Sequence, residues 1–456
     1  MSVAPAPRRL ASGAFAALSA QVGALAATTV TSVAIARLLG PAGTGAVALV
    51  LNLIGLGTLL FGLGLRSGII FELNTGTWPL RTAARQTALA ALALGSLGAG
   101  AVLTLHALTH DSVLSGLSGL TAAAAAGALP FAIGILYTGG IALARERYEA
   151  YAMLQVLPTV VTLVLAVGLA VAFKLPGAAV GIALATAITA AVGWVWLWRY
   201  AAAVDRPVAP DPGGHLGRAS RFGIQAWGGD VLQFLNYRID LFILNSFAVI
   251  ADVGVYSVAV TLTSLAWVLP NALTTVLFPR AASLEAATRS GAISQAESDL
   301  TAVRGARQTI ILLVPSAIVP LLLLFVAVPL LYGDRFSHST TLGLILLPGV
   351  LVIGLGKALS AVTTGRGHPR YALYLSLVSF PLTVALYALL IPPWGATGAA
   401  VASTISYTLT TIVAWLFYRR VTGLRFRTLI PGREDVRQAW DSAVVLARSG
   451  RAALGR

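Results

Sequence analysis

Apolar runs of about 20 residues or more recur from one end of this chain to the other, separated by short polar breaks. A helix needs about 20 mostly apolar residues to cross a bilayer. The runs predict spans at 12–36, 43–65, 84–108, 119–144, 150–173, 177–198, 222–248, 253–278, 308–332, 341–364, 371–391 and 396–418. Twelve such spans consume most of 456 residues and leave no room for a soluble domain of ordinary size. Strands of a membrane barrel would alternate apolar and polar residues over about ten positions, and no such stretch occurs. The expected fold class is therefore an all-α polytopic membrane protein. Only 10% of the residues are charged, against about 25% in a soluble domain, so water is not the solvent for most of the surface.

The basic residues test that count. With the N-terminus in the cytoplasm, 26 of the 31 Lys and Arg fall on inner segments, nine of them between Arg419 and Arg456. Arg37, Lys174 and Arg335 fall on outer ends, and Arg238 and Lys357 lie within spans. Such asymmetry is the positive-inside signature. The net charge of +15 is thus expected to face the inner leaflet, not nucleic acid. Arg8 and Arg9 before an apolar run resemble a signal peptide, but the run reaches about Ala36, too long for one. A retained first helix is expected.

The chain also reads as a duplication. Leu175-Pro176-Gly177-Ala178-Ala179-Val180-Gly181 matches Pro393-Trp394-Gly395-Ala396-Thr397-Gly398-Ala399, at an offset of 218 to 220 residues, and Pro130 pairs with Pro348. Two halves of six helices share orientation, as parallel repeats do. The expected division is an N-lobe (1–200), a Pro- and Gly-containing cytoplasmic linker (201–221), a C-lobe (222–420) and a basic tail (421–456). Val436, Trp440, Ala443 and Val444 share one face of a tail helix suited to an anionic leaflet. Two such lobes rocking about a central cavity would expose it to each side in turn.

Several chemistries lack their residues. The chain has no cysteine and five scattered histidines, so no metal set is expected. It has no Gly-rich Lys-Ser/Thr phosphate loop. Its outer loops are too short to carry a catalytic domain. The expectation is a protein that is not an enzyme and has no cofactor.

Charges inside spans are the default functional candidates. At 100° per residue, Asp230, Gln233, Tyr237, Arg238, Asp240 and Asn245 fall within an arc of about 160° on the seventh helix. That arc is expected to line a cavity. Arg238 and Asp240 point different ways and each needs another partner. Arg238 is a candidate for phosphate, or for an interhelical salt bridge. Asp230 and Asp240 are candidates for ion or proton coupling or for hydrogen bonding to sugar, or else they neutralise Arg238 or Lys357. Lys357, on the tenth helix, either reaches the cavity or snorkels to the interface. Pro348, Gly349, Gly354 and Gly356 beside it point to close packing or a bend. Arg37 and Glu72 read as interfacial, and Trp194, Trp196 and Trp198 as an aromatic belt.

Several ordered segments resemble a known family. They are Arg37-Leu38-Leu39-Gly40-Pro41-Ala42-Gly43-Thr44-Gly45, Tyr237-Arg238-Ile239-Asp240-Leu241-Phe242-Ile243-Leu244, Val253-Gly254-Val255-Tyr256-Ser257-Val258-Ala259, Val276-Leu277-Phe278-Pro279-Arg280, and Gly367-His368-Pro369. With the Pro393–Ala400 stretch, they resemble the polysaccharide and O-antigen flippases of the multidrug/oligosaccharidyl-lipid/polysaccharide exporter superfamily. The resemblance implies a polyprenyl-pyrophosphate-linked oligosaccharide turned from the inner to the outer leaflet of the cell membrane. Its partners would be the bilayer, the lipid-linked glycan, and a glycan polymerase or glycosyltransferases. Two further functions stay open. A cation-coupled drug exporter of the same superfamily would need intramembrane acids, and the first six spans hold none. Flippases for the peptidoglycan lipid precursor resemble fourteen-helix proteins, and this chain runs out after twelve.

Overall fold

A computed structural model of the chain describes residues 7–74, 78–204, 213–368 and 370–437, with residues 7–22 and scattered positions described by backbone alone. Residues 205–212 of the expected linker and the tail helix around Trp440 lie outside the described residues. Without water to satisfy it, a backbone in hydrocarbon must bond to itself, and the described residues are 91% helical with no strand among them.

The helices run α1 (Pro7–Phe61), α2 (Leu65–Asn74), α3 (Leu80–Thr109), α4 (Gly119–Ala144), α5 (Tyr148–Val204), α6 (His215–Phe247), α7 (Ile250–Ser264), α8 (Val268–Arg289), α9 (Gln295–Leu322), α10 (Ser337–Gly365) and α11 (Arg370–Thr422). Among the described residues, eight helical stretches are long and apolar enough to cross a membrane. Three of these, α1, α5 and α11, are each broken once, at Gly40, Lys174 and Gly395. Each break makes two spans of one, which gives eleven; α6, more polar and 33 residues long, is the twelfth. The protein is an all-α, multi-pass membrane protein.

The breaks correct the register of the repeat. Lys174 and Gly395 adopt nearly the same backbone, φ 54 and ψ −137 against φ 54 and ψ −131. They are 221 residues apart. At that offset Gly177 matches Gly398, and each lies against the carbonyl eight residues before it, Leu169 and Leu390. The expected offset of 218 to 220 pairs the Pro-Gly of 176–177 with the Pro-Trp-Gly of 393–395. The structural equivalence is set instead by where the chain reverses, and Gly395 is itself the reversal while Gly177 is a packing glycine.

Contacts group the chain into two compact units. The first runs up to Val258 and takes in Leu331–Phe336; the second comprises Ala259–Leu330 and the chain from Ser337. This grouping by contact differs from the division expected at residues 201–221, because α6 packs along α2. In the first unit, Leu65, Ile69, Trp78, Ile133, Tyr137 and Leu197 form a buried core. Segment 331–336 is tied to α1: Arg37 Nε donates to the Leu331 carbonyl, and Tyr332 Oη to Ser32 Oγ (3.1 Å). Arg37 is thus a cross-link between distant segments, not only an interfacial charge.

In the second unit, α9 continues into a π-helical stretch, Leu323–Tyr332. Pro329 has no N–H for the i−5 carbonyl of Leu324, and Thr340 Oγ1 fills that place at 3.0 Å. Gly349 and Gly356 of α10 let Thr404 and Thr411 of α11 approach, so these glycines serve close packing. Arg366 pairs with Asp299 (2.6 Å), and Arg307 with Asp435 (3.1 Å). Arg307 also donates to the Thr428 carbonyl (2.8 Å), and Leu429 is fully buried. The first part of the tail therefore packs on protein.

Candidate functional site

The expected face of α6 divides into two environments. Asp230 and Gln233 are exposed, while Tyr237 and Arg238 are half-buried. Asp240 is 2% exposed and accepts from Tyr256 Oη at 2.7 Å and from the Leu241 N–H at 2.9 Å. Asn245 is buried too, and its Nδ2 donates to the carbonyls of Val113 (3.0 Å) and Ser115 (3.1 Å) and to Ser115 Oγ (3.2 Å). Asn236 is buried as well. One arc on a helical wheel thus holds two kinds of residue. Asp240 and Asn245 fasten α6 to α7 and to the 110–118 turn. Asp230, Gln233, Tyr237 and Arg238 keep some accessible surface.

The charge of Arg238 acts on Asp240, and that of Arg66 acts on Asp230. Arg66, at the start of α2, is half-buried and donates to Tyr151 Oη at 3.2 Å. Its proximity to α6 is visible only in three dimensions.

Three of the six segments that carried the family resemblance, 37–45, 237–244 and 253–259, come together. Gly45 lies against Gly254, and Tyr256 holds Asp240. Those residues form a packed seam inside the first unit rather than a ligand surface.

Lys357 occupies a separate environment in the second unit. Its Nζ lies 3.8 Å from the centroid of the Trp267 ring and 3.4 Å from Asn271 Oδ1. Trp267 ends the 3-10 turn Leu265–Trp267 between α7 and α8. Neither Trp267 nor Asn271 was a sequence candidate. The signal available was an aromatic three residues before Pro270 inside a span.

A buried ion cluster lies away from both. Glu72 is 3% exposed, with Oε1 accepting from Arg218 Nε (2.7 Å) and lying 2.8 Å from His215 Nδ1. Trp78 stacks on the His215 ring at 5.6 Å. Burial works against the Glu72 charge, but the hydrogen bonds from His215 and Arg218 and the Arg218 charge outweigh it and hold the carboxyl below its ordinary range. The expected interfacial position for Glu72 is therefore wrong: it joins the end of α2 to the start of α6. Of the expected aromatic belt, Trp198 is exposed, while Trp194 and Trp196 pack against the core.

Among the described residues no group of three or more His, Asp or Glu could hold a metal. Residues 34–341 match the model of a family described as polysaccharide biosynthesis protein. No curated protein sequence matches the chain. Among solved structures the fold is similar to the lipid II flippase MurJ in an inward closed conformation, at TM-score 0.69 and 10% identity, covering 94% of this chain and 92% of that one. It is also similar to the MATE transporter VcmN of Vibrio cholerae (TM-score 0.58, 17% identity, 92% and 98% covered). An inward-facing multidrug resistance MATE transporter of the MOP superfamily gives TM-score 0.59, 19% identity and coverage of 90% and 98%. These solved structures are of a flippase and of transporters, and the likeness to them is one of fold.

Proposed function

This chain belongs to the polysaccharide biosynthesis protein family, and from that premise we propose that it flips polyprenyl-pyrophosphate-linked oligosaccharide units from the inner to the outer leaflet of the cell membrane. The carrying observation is a pair of half-buried cations within membrane-spanning helices, Arg238 on α6 and Lys357 on α10. Sugar hydroxyls lose their hydrogen bonds in hydrocarbon, at a cost of several kcal/mol each, so the headgroup needs a polar route between lobes. A diphosphate on that route needs cations, and a guanidinium can grip it with two parallel bonds. In this reading Arg238 and Lys357 each offer a cation to the diphosphate. Asp230, Gln233 and Tyr237 offer hydrogen bonds to sugar hydroxyls. Asp240 and Asn245 hold α6 in place, although Asp240 retains the ion-coupling role as the alternative. Both termini lie in the cytoplasm, the lobes alternate access, and a glycan polymerase or glycosyltransferases act before or after.

The test is flipping in proteoliposomes. A polyprenyl-pyrophosphate oligosaccharide is loaded in one leaflet and probed from the other side by a glycan-modifying enzyme. The expected result is protein-dependent accessibility, abolished in Arg238→Ala at unchanged expression. Transport of the peptidoglycan lipid precursor alone would replace the substrate. Export of a cationic dye on a proton or sodium gradient, without flipping, would replace the function.

A further inference from the structure

Lys357 is placed by an assembly that the sequence did not reveal. Pro270 packs on Gly354 of α10, where an added Cβ would lie 3.1 Å from the proline Cγ. That contact brings the 3-10 turn before Pro270 onto α10. Trp267 Nε1 then donates to the Val350 carbonyl at 2.9 Å, which orients the indole. Tyr407 packs on it at 6.4 Å. The oriented ring presents its face to the Lys357 ammonium at 3.8 Å, and Asn271 Oδ1 takes a second direction at 3.4 Å.

Both of these partners are neutral. A ring face and an amide oxygen each attract a cation, and together they fix its position. A π face attracts a cation by about 0.5–2 kcal/mol, most strongly when water is excluded. An ammonium has three N–H donors, and a four-carbon stem is otherwise free to rotate, so a fixed position is what such a side chain lacks.

We infer that Trp267 is a positioning residue: it holds the Lys357 ammonium where it receives the diphosphate of a lipid-linked substrate. This deepens the proposed function and rests on it. Trp267 does not touch the substrate; Lys357 does. The shared chemistry is a diphosphate, carried by a polyprenyl lipid or free in solution.

The experiment measures binding of polyprenyl diphosphate, inorganic pyrophosphate and polyprenol to the purified full chain. Trp267→Leu is expected to weaken polyprenyl diphosphate about tenfold, and Trp267→Phe, which keeps a ring face, about threefold or less. A Trp267 ring fluorinated at that site alone preserves shape and folding while draining the π face. Affinity should fall with each added fluorine. Polyprenol, which has the tail and no charge, should bind all forms alike; a merely structural role would lower both ligands together. Tighter binding of polyprenyl diphosphate than of pyrophosphate supports the lipid-linked occupant, and binding of pyrophosphate alone overturns it. If the unaltered protein binds polyprenyl diphosphate and the fluorinated and Leu forms bind it equally well or better, the positioning role is overturned and the flippase reading survives. If the unaltered protein binds no polyprenyl diphosphate, the flippase reading itself falls.

Discussion

Gly45 and Gly254 cross with no room for a side chain on either: a Cβ on Gly45 would lie 2.8 Å from the Gly254 nitrogen, and one on Gly254 would lie 2.9 Å from the Gly45 nitrogen. Small residues let helix backbones approach closely where no hydrophobic force drives helices together in lipid. The atoms in the way are backbone, which cannot swing aside. Gly254→Val is therefore expected to destabilise by about 2–3 kcal/mol or more, read as a lower midpoint in a thermal melt in detergent. A melt for Gly254→Val equal to the parent's would refute the crossing.

Lys174 and Gly395 invite a reciprocal exchange. Both have φ 54, where a non-glycine residue is strained by about 1–3 kcal/mol. Lys174→Gly should raise stability by about 1 kcal/mol after the glycine's greater unfolded-state freedom is set against the strain. Gly395→Ala should lower it by a similar amount, although no atom lies within 4 Å of the added Cβ. Opposite signs in paired melts are the expected outcome; the same sign in both would show that backbone conformation is not the cause.

Asp240 can be separated into its two readings by a pair of substitutions. Asp240→Asn keeps an oxygen for Tyr256 Oη, while Asp240→Leu leaves that buried hydroxyl without this acceptor, costing about 1–3 kcal/mol. If Asp240 fastens α6 to α7, Asn should preserve both stability and the proton or sodium dependence of transport, and Leu should lose stability. A flattened pH or sodium dependence in stable Asp240→Asn would return Asp240 to ion coupling.

Glu72 sets a pH limit on the α2–α6 junction. Its carboxyl titrates below its ordinary value in the fold, so the unfolded chain takes up the proton first as pH falls. The stability it contributes is full above the ordinary carboxylate range and is lost as pH drops through the lowered value. Glu72→Gln should cost about 1–3 kcal/mol at neutral pH, because Arg218 and His215 lose their charged acceptor, and much less at the acid end. Melts across that range check it; parallel curves for the two proteins would remove Glu72 from the acid limit.

The candidate site was partly legible. Arg238, Lys357, Asp230, Gln233 and Tyr237 were visible because charge or polarity inside an apolar run is locally expensive. What a helical wheel could not separate was a residue facing a cavity from one facing another helix. Asp240 and Asn245 share the 160° arc that holds Arg238, yet Tyr256 and the 113–115 backbone claim them. Trp267 escaped notice because an indole in a span is ordinary, and only its 3.8 Å approach to Lys357 makes it notable.

By itself the sequence determined how many times the chain crosses the membrane, because insertion depends on the summed transfer free energy of each contiguous segment, a local quantity. It also determined the family, through short motifs kept in order. The tertiary structure alone decided that Gly45 meets Gly254, that Glu72 is buried against His215 and Arg218, and that the repeat is in register at Lys174 and Gly395. Those outcomes depend on which surfaces of distant segments fit each other. In a bilayer that choice is made by close packing and polar satisfaction, to which hydropathy is blind.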